Sequence, residues 1–122
     1  MAPSDLLDAT TLRNLVELDD GGYGLLTEML DIFREDTPRR LQDILKALAE
    51  QDAEALSRAA HALKGGAGAL GAKALRIAAA DLEALGRSGS TLAGGEVAGQ
   101  LEGMFQASLT ALETYIQERG AD

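Results

Sequence analysis

The sequence has no cysteine and no tryptophan, and its aromatic side chains are limited to two Tyr and two Phe among 122 residues. Without cysteine there is no disulfide framework, no thiolate metal site and no thiol nucleophile, so redox chemistry through this chain is excluded. With so few rings, the core has to be assembled from Leu, Ala, Ile and Met, a palette that suits packed helices better than β-strands. Basic residues are also in the minority: 11 Lys and Arg stand against 20 Asp and Glu, giving a formal charge of −9. A chain of that sign repels phosphate backbones, and no basic stripe with interleaved aromatics offsets it, so nucleic acid is not an expected partner. No window approaches the roughly 18 apolar residues of a membrane span, and Met1 to Thr10 has neither a basic start nor an apolar run. The expectation is a soluble cytoplasmic protein of one domain spanning residues 1–122, monomeric by default.

The charge is unevenly placed. Residues 55–80 carry Arg58, Lys64, Lys73 and Arg76 and no acid at all. An acidic chain therefore encloses a basic island.

Apolar residues recur at helical spacing along most of the chain. A first helix is expected from an N-cap at Asp8 or Thr10 through Leu12, Leu15, Val16 and Leu18, ending at Asp19-Asp20-Gly21-Gly22. From Tyr23 the stripe continues through Leu26, Met29, Leu30 and Phe33, then through Leu41, Ile44, Leu45 and Leu48 in unbroken phase. That continuity predicts one long helix passing through Pro38 with a kink, in preference to a new helix starting at Pro38. Asp52 is placed to cap the next helix, whose stripe is Leu56, Ala59, Ala60, Leu63, Ala67 and Leu70 before Gly71. Another runs from about Ala72 with Leu75, Ala78, Ala79, Leu82 and Leu85, stopping at Gly86 with Arg87 near its negative end. The Gly/Ser-rich stretch 88–99 reads as a loop, and Leu101, Met104, Phe105, Leu109, Leu112 and Ile116 mark the final helix. The fold class expected is all-α: an antiparallel four-helix bundle with an additional short N-terminal helix.

The stretch His61-Ala62-Leu63-Lys64-Gly65-Gly66-Ala67-Gly68-Ala69-Leu70-Gly71 singles itself out. At 100° per residue from Leu56, His61 falls at about 140°, away from the buried stripe and on the side of Ser57, Lys64, Gly65 and Gly68. Each glycine inside a helix costs roughly 1 kcal/mol relative to alanine, which an alanine-rich chain could have avoided. Two uses would offset it: close packing of a neighbouring helix, assigned to Gly66 and Gly71, or a smooth surface for another protein, assigned to Gly65 and Gly68. Neutral imidazole is a competent nucleophile near pH 7 and can accept a phosphoryl group. Lys64, one turn on, can meet phosphoryl oxygens with its ammonium, and phosphoryl transfer asks mainly for such positioning.

At these residues the chain resembles the histidine-containing phosphotransfer (Hpt) family, whose signature approximates H-x-x-K-G-small-small-x-x-hydrophobic-G. His61, Lys64, Gly65, Ala67, Leu70 and Gly71 fill it, and the resemblance runs from about Leu7 to Ile116, taking in Asp36-Thr37-Pro38, Asp52 and Leu82-Glu83. It implies that His61 is the phosphoacceptor, that Lys64 steadies the phosphoryl group, and that Gly65 leaves room for a receiver domain's active-site loops; Ser57 and Gly68, on the same face, are expected to join Gly65 in docking the partner. The implied partners are response-regulator receiver domains and a sensor or hybrid histidine kinase. No cofactor is implied on this chain; the Mg²⁺ of such transfers is expected in the receiver. Gly66, where the commoner phosphorelay pattern has Ser or Ala, looks like the phosphotransfer domain of chemotaxis histidine kinases. There a glutamate from the next helix hydrogen-bonds the imidazole, and Glu83 stands at the matching position; its alternative is a solvated surface carboxylate. Two other functions stay open: the phosphoacceptor domain of a chemotaxis-type kinase, and a non-catalytic helical adaptor, against which the presence of His61 argues. A metal site has little support, with one His and no Cys. The Gly94–Gly99 stretch lacks the Lys-Ser/Thr of a phosphate-binding loop, so no nucleotide binding is expected.

Overall fold

In a computed structural model, which describes residues 3–120, helices are the only regular structure. Met1 and Ala2 of the opening stretch, and Ala121 and Asp122 at the end of the expected domain, lie outside the described residues. A single turn, α1 (Pro3–Leu6), precedes α2 (Ala9–Leu18), and four longer helices follow: α3 (Gly24–Ala49), α4 (Ala53–Ala69), α5 (Lys73–Arg87) and α6 (Gly94–Gly120). α3 packs on α4, α4 on α5, α5 on α6, and α6 returns to α3, which closes a four-helix bundle. Short turns at 50–52 and 70–72 make the first three bundle helices antiparallel neighbours.

Local chemistry sets most of the boundaries. Asp8, rather than Thr10, caps α2, its carboxylate accepting from the Thr10 and Thr11 amides. Asp52 caps α4 by accepting from the Ala55 amide at 3.0 Å. Asp19 reaches forward across its turn to accept from the Leu25 amide in the first turn of α3. α3 runs through Pro38 without interruption, and buried Phe33, Leu41 and Ile44 on either side hold it to the core. α4 ends where Gly71 adopts φ +75° and the Ala72 amide bonds back to the Ala67 carbonyl, the wrapped turn that glycine after a helix permits.

The core is leucine and alanine, with Leu12, Leu26, Ile44, Leu56, Leu63, Leu75, Leu82, Leu101 and Leu112 fully enclosed. All four rings lie at the seam of α3 and α6: Phe33 meets Phe105 edge-on at 5.3 Å, and Tyr23, at the start of α3, approaches Tyr115 at 6.4 Å. Two residues assigned to buried stripes, Leu18 and Leu45, are instead exposed.

Two boundary expectations fail for the same reason, the burial of small residues. Residues 94–99 are the first turns of α6 rather than a loop. Ala98 is buried in phase with Leu101 and Phe105, and Glu96 sits in the first turn where a negative charge is favoured, which together outweigh the glycine penalty. Gly86 does not stop α5 but lies buried inside it; the helix ends at Arg87, and Gly89, φ +83°, turns the chain just after it. A methyl group on Gly86 would stand 2.6 Å from the Ala53 carbonyl oxygen and 2.7 Å from the Ser57 nitrogen. Glycine there lets the backbones of α4 and α5 come into contact.

Candidate functional site

The α4–α5 seam positions the site. The two helices run past each other in opposite directions, so that Ser57 meets Gly86, His61 meets Glu83, and Gly68 meets Arg76. His61 stands on the rim with its side chain 66% exposed. Glu83, reached from α5, is only 4% exposed. Its position follows from the α5 stripe, since it lies between buried Ala79 and buried Gly86 and next to Leu82.

Three basic side chains converge on this carboxylate. The His61 Nδ1 lies 2.7 Å from Oε2, Lys64 donates from Nζ to Oε1 at 2.5 Å, and Arg87 donates to Oε2 at 3.1 Å. The Lys64 hydrogen bond, first, and then the His61 bond and the Arg87 charge hold the Glu83 carboxyl below the ordinary glutamate range, although burial pushes the other way. An ionised carboxylate has no proton to give, so the hydrogen of the His61 contact belongs to Nδ1. The neutral ring then carries its lone pair on Nε2. Such an arrangement can orient a ring nitrogen as a nucleophile and can stabilise an imidazolium.

The expected surface roles divide. Gly65 and Gly66 both face open space, so Gly66 is not a packing glycine. Gly71 is one, with the Asp8 carbonyl 3.2 Å from where its methyl group would stand. Gly68 does not present a bare surface: the aliphatic stem of Arg76 occupies it, with Cδ 3.1 Å from a notional methyl group. Ser57 is half-buried, with its backbone against Gly86. Lys64 is drawn onto Glu83 rather than left in open solvent beside the ring. Sequence reasoning missed Arg87 as a site residue, taking it for a helix-dipole partner; its spacing of four residues after Glu83 was the available signal. Among the described residues no cluster of three or more His, Cys, Asp or Glu is arranged to hold a metal ion. Among the described residues, no helix is long and apolar enough to cross a membrane.

Comparison with known proteins agrees with this geometry. The model of the Hpt domain family matches residues 28–115. The structure is similar to that of histidine-containing phosphotransfer protein B (HptB) from Pseudomonas aeruginosa PAO1, with 31% identity over 92% of this chain and 95% of that one and a TM-score of 0.78. It also shares its fold with the histidine-containing phosphotransfer domain of ArcB from Escherichia coli, at 21% identity, 94% and 96% coverage and a TM-score of 0.82. No curated protein sequence matches. An exposed histidine braced by a buried carboxylate in a four-helix bundle, the family match and the likeness to HptB lead to one conclusion: the chain belongs to the Hpt domain family and serves histidine phosphotransfer in two-component signalling.

Proposed function

We propose that His61 is the phosphoacceptor and that the chain, acting as one soluble cytoplasmic module and as a monomer, relays a phosphoryl group to or from receiver-domain aspartates. The observation that carries this reading is the pairing of an exposed imidazole with a carboxylate that is almost wholly enclosed. In the receiving direction, the Nε2 lone pair bonds to phosphorus as the O–P bond of an aspartyl phosphate breaks and returns a free carboxylate to the receiver. The imidazolium so formed keeps its Nδ1 hydrogen on Glu83, which orients the ring without touching the phosphoryl group. Gly65, with open space above it, leaves room for the receiver's loops. The Mg²⁺ used in such a transfer is assigned to the receiver, whose carboxylates would hold it. The test is incubation with a phosphorylated receiver: an acid-labile, base-stable phosphoryl group should appear on wild type and not on His61→Gln. Labelling of His61→Gln would end the proposal.

The contact of Glu83 with the imidazole, together with Gly66, also favours a second reading, the phosphoacceptor domain of a chemotaxis-type kinase. Phosphorylation by an isolated ATP-binding kinase domain, without transfer from any receiver, would select it. Transfer from a receiver rejects it.

A further inference from the structure

The Glu83 cluster contains one more cation than orientation of the imidazole requires. Oε2 already accepts the His61 Nδ1 hydrogen, yet Arg87 donates to the same oxygen at 3.1 Å, while Lys64 takes Oε1. Lys64 is therefore committed to Glu83 in the unphosphorylated protein. A phosphoryl group arriving on Nε2 brings additional negative charge to the rim, close to a carboxylate that is itself ionised and enclosed. A single ammonium divides its charge between two anions, so drawing Lys64 to the phosphoryl oxygens weakens its hold on Glu83, and an enclosed carboxylate deprived of its cation is costly. Arg87 reaches Glu83 from one turn further along α5, with its side chain 67% exposed and anchored on a different oxygen from Lys64.

We propose that Arg87 is a positioning residue that frees Lys64 for the phosphoryl group by keeping Glu83 neutralised when Lys64 leaves it. The inference rests on His61 as the phosphoacceptor. In the resting protein Lys64 and Arg87 share Glu83; in the phosphorylated protein Lys64 turns to the phosphoryl oxygens and Arg87 alone remains on the carboxylate. Arg87 touches neither the reacting nitrogen nor phosphorus, so its effect on the rate passes through Glu83 and Lys64.

Phosphoramidate provides a test that needs no cognate receiver. The Nε2 lone pair bonds to phosphorus, the P–N bond of phosphoramidate breaks, and its electron pair leaves on nitrogen as ammonia. The rate of phosphohistidine formation is measured for wild type, Arg87→Gln, Arg87→Lys, Lys64→Ala and the Lys64→Ala/Arg87→Gln double variant, with thermal melting as a control for folding. Arg87→Gln should slow the reaction about three- to tenfold, the range of coupling expected between charges that share one partner. Arg87→Lys, which keeps a cation, should restore most of the rate. In the Lys64→Ala background Arg87→Gln should add no further loss, because no lysine remains to be released. An unchanged rate for Arg87→Gln, or an equal loss with and without Lys64, overturns the proposal while leaving His61 as phosphoacceptor intact. Failure of wild type to form phosphohistidine overturns both.

Discussion

Gly86→Ala and Gly99→Ala make the same chemical change at two glycines inside helices and should have opposite effects. At Gly86 the new methyl group would lie 2.6 Å from the Ala53 carbonyl oxygen and 2.7 Å from the Ser57 nitrogen, whereas ordinary contacts begin at 3.4 Å. Both obstructing atoms belong to the backbone of α4, so no rotamer change relieves them, and the helices must separate locally by about 0.8 Å. A gap of that size forfeits roughly a quarter to a half of the dispersion attraction at each affected contact where α4 packs on α5. Overpacking of this kind costs about 1–3 kcal/mol, and the better helix propensity of alanine returns up to about 1 kcal/mol. A net loss of about 1–2 kcal/mol should lower Tm by about 4–8 °C. Gly99 has nothing within 4 Å of its notional methyl group, so alanine there should stabilise α6 by about 0.5–1 kcal/mol. Thermal and urea denaturation followed by far-UV circular dichroism measures both. If Gly86→Ala melted at or above the wild-type temperature, the close approach of α4 and α5 at Gly86 would be refuted.

Glu83 also predicts a dependence on acid. Its folded-state pKa lies below the ordinary glutamate value, so the stability it contributes is fully present above that value and is lost as pH falls through the depressed one. Wild type should therefore be more stable than Glu83→Gln at neutral pH, with the difference shrinking through the acid range; a difference independent of pH in denaturant titrations would contradict the ion cluster. At Gly65, where space is open, Gly65→Gln should slow transfer from a phosphorylated receiver while leaving helicity and melting nearly unchanged. Marked unfolding instead would assign Gly65 a packing role.

The elements that were legible in the sequence share a feature: their signals are local. The Asp52 cap, the in-phase stripe on both sides of Pro38 and the glycine after Leu70 each depend on residues within a turn or two. The exposure of His61 followed from the same arithmetic, since it lies opposite a stripe that does become the core. What escaped notice depends on the partner helix. Nothing local shows that Gly86 abuts the Ser57 backbone, or that Arg76 fills the surface at Gly68. Glycine composition made 94–99 look like a loop because the burial of Ala98 is supplied by the rest of the bundle. Glu83 stood between two identities, surface carboxylate or imidazole partner, and the α5 stripe could have decided it, since Ala79, Leu82 and Gly86 place position 83 inward. The convergence of Lys64 and Arg87 on it required the folded seam.

On the proposed reading, Glu83 fixes the His61 tautomer so that Nε2 accepts the phosphoryl group. It is tested most directly by locating the phosphorus on ¹⁵N-labelled protein loaded from a phosphorylated receiver, using phosphorus–nitrogen NMR correlations. The phosphorus should be bonded to Nε2 of His61, with the Nδ1 hydrogen retained toward Glu83. A phosphoryl group on Nδ1, or on any residue other than His61, would contradict it.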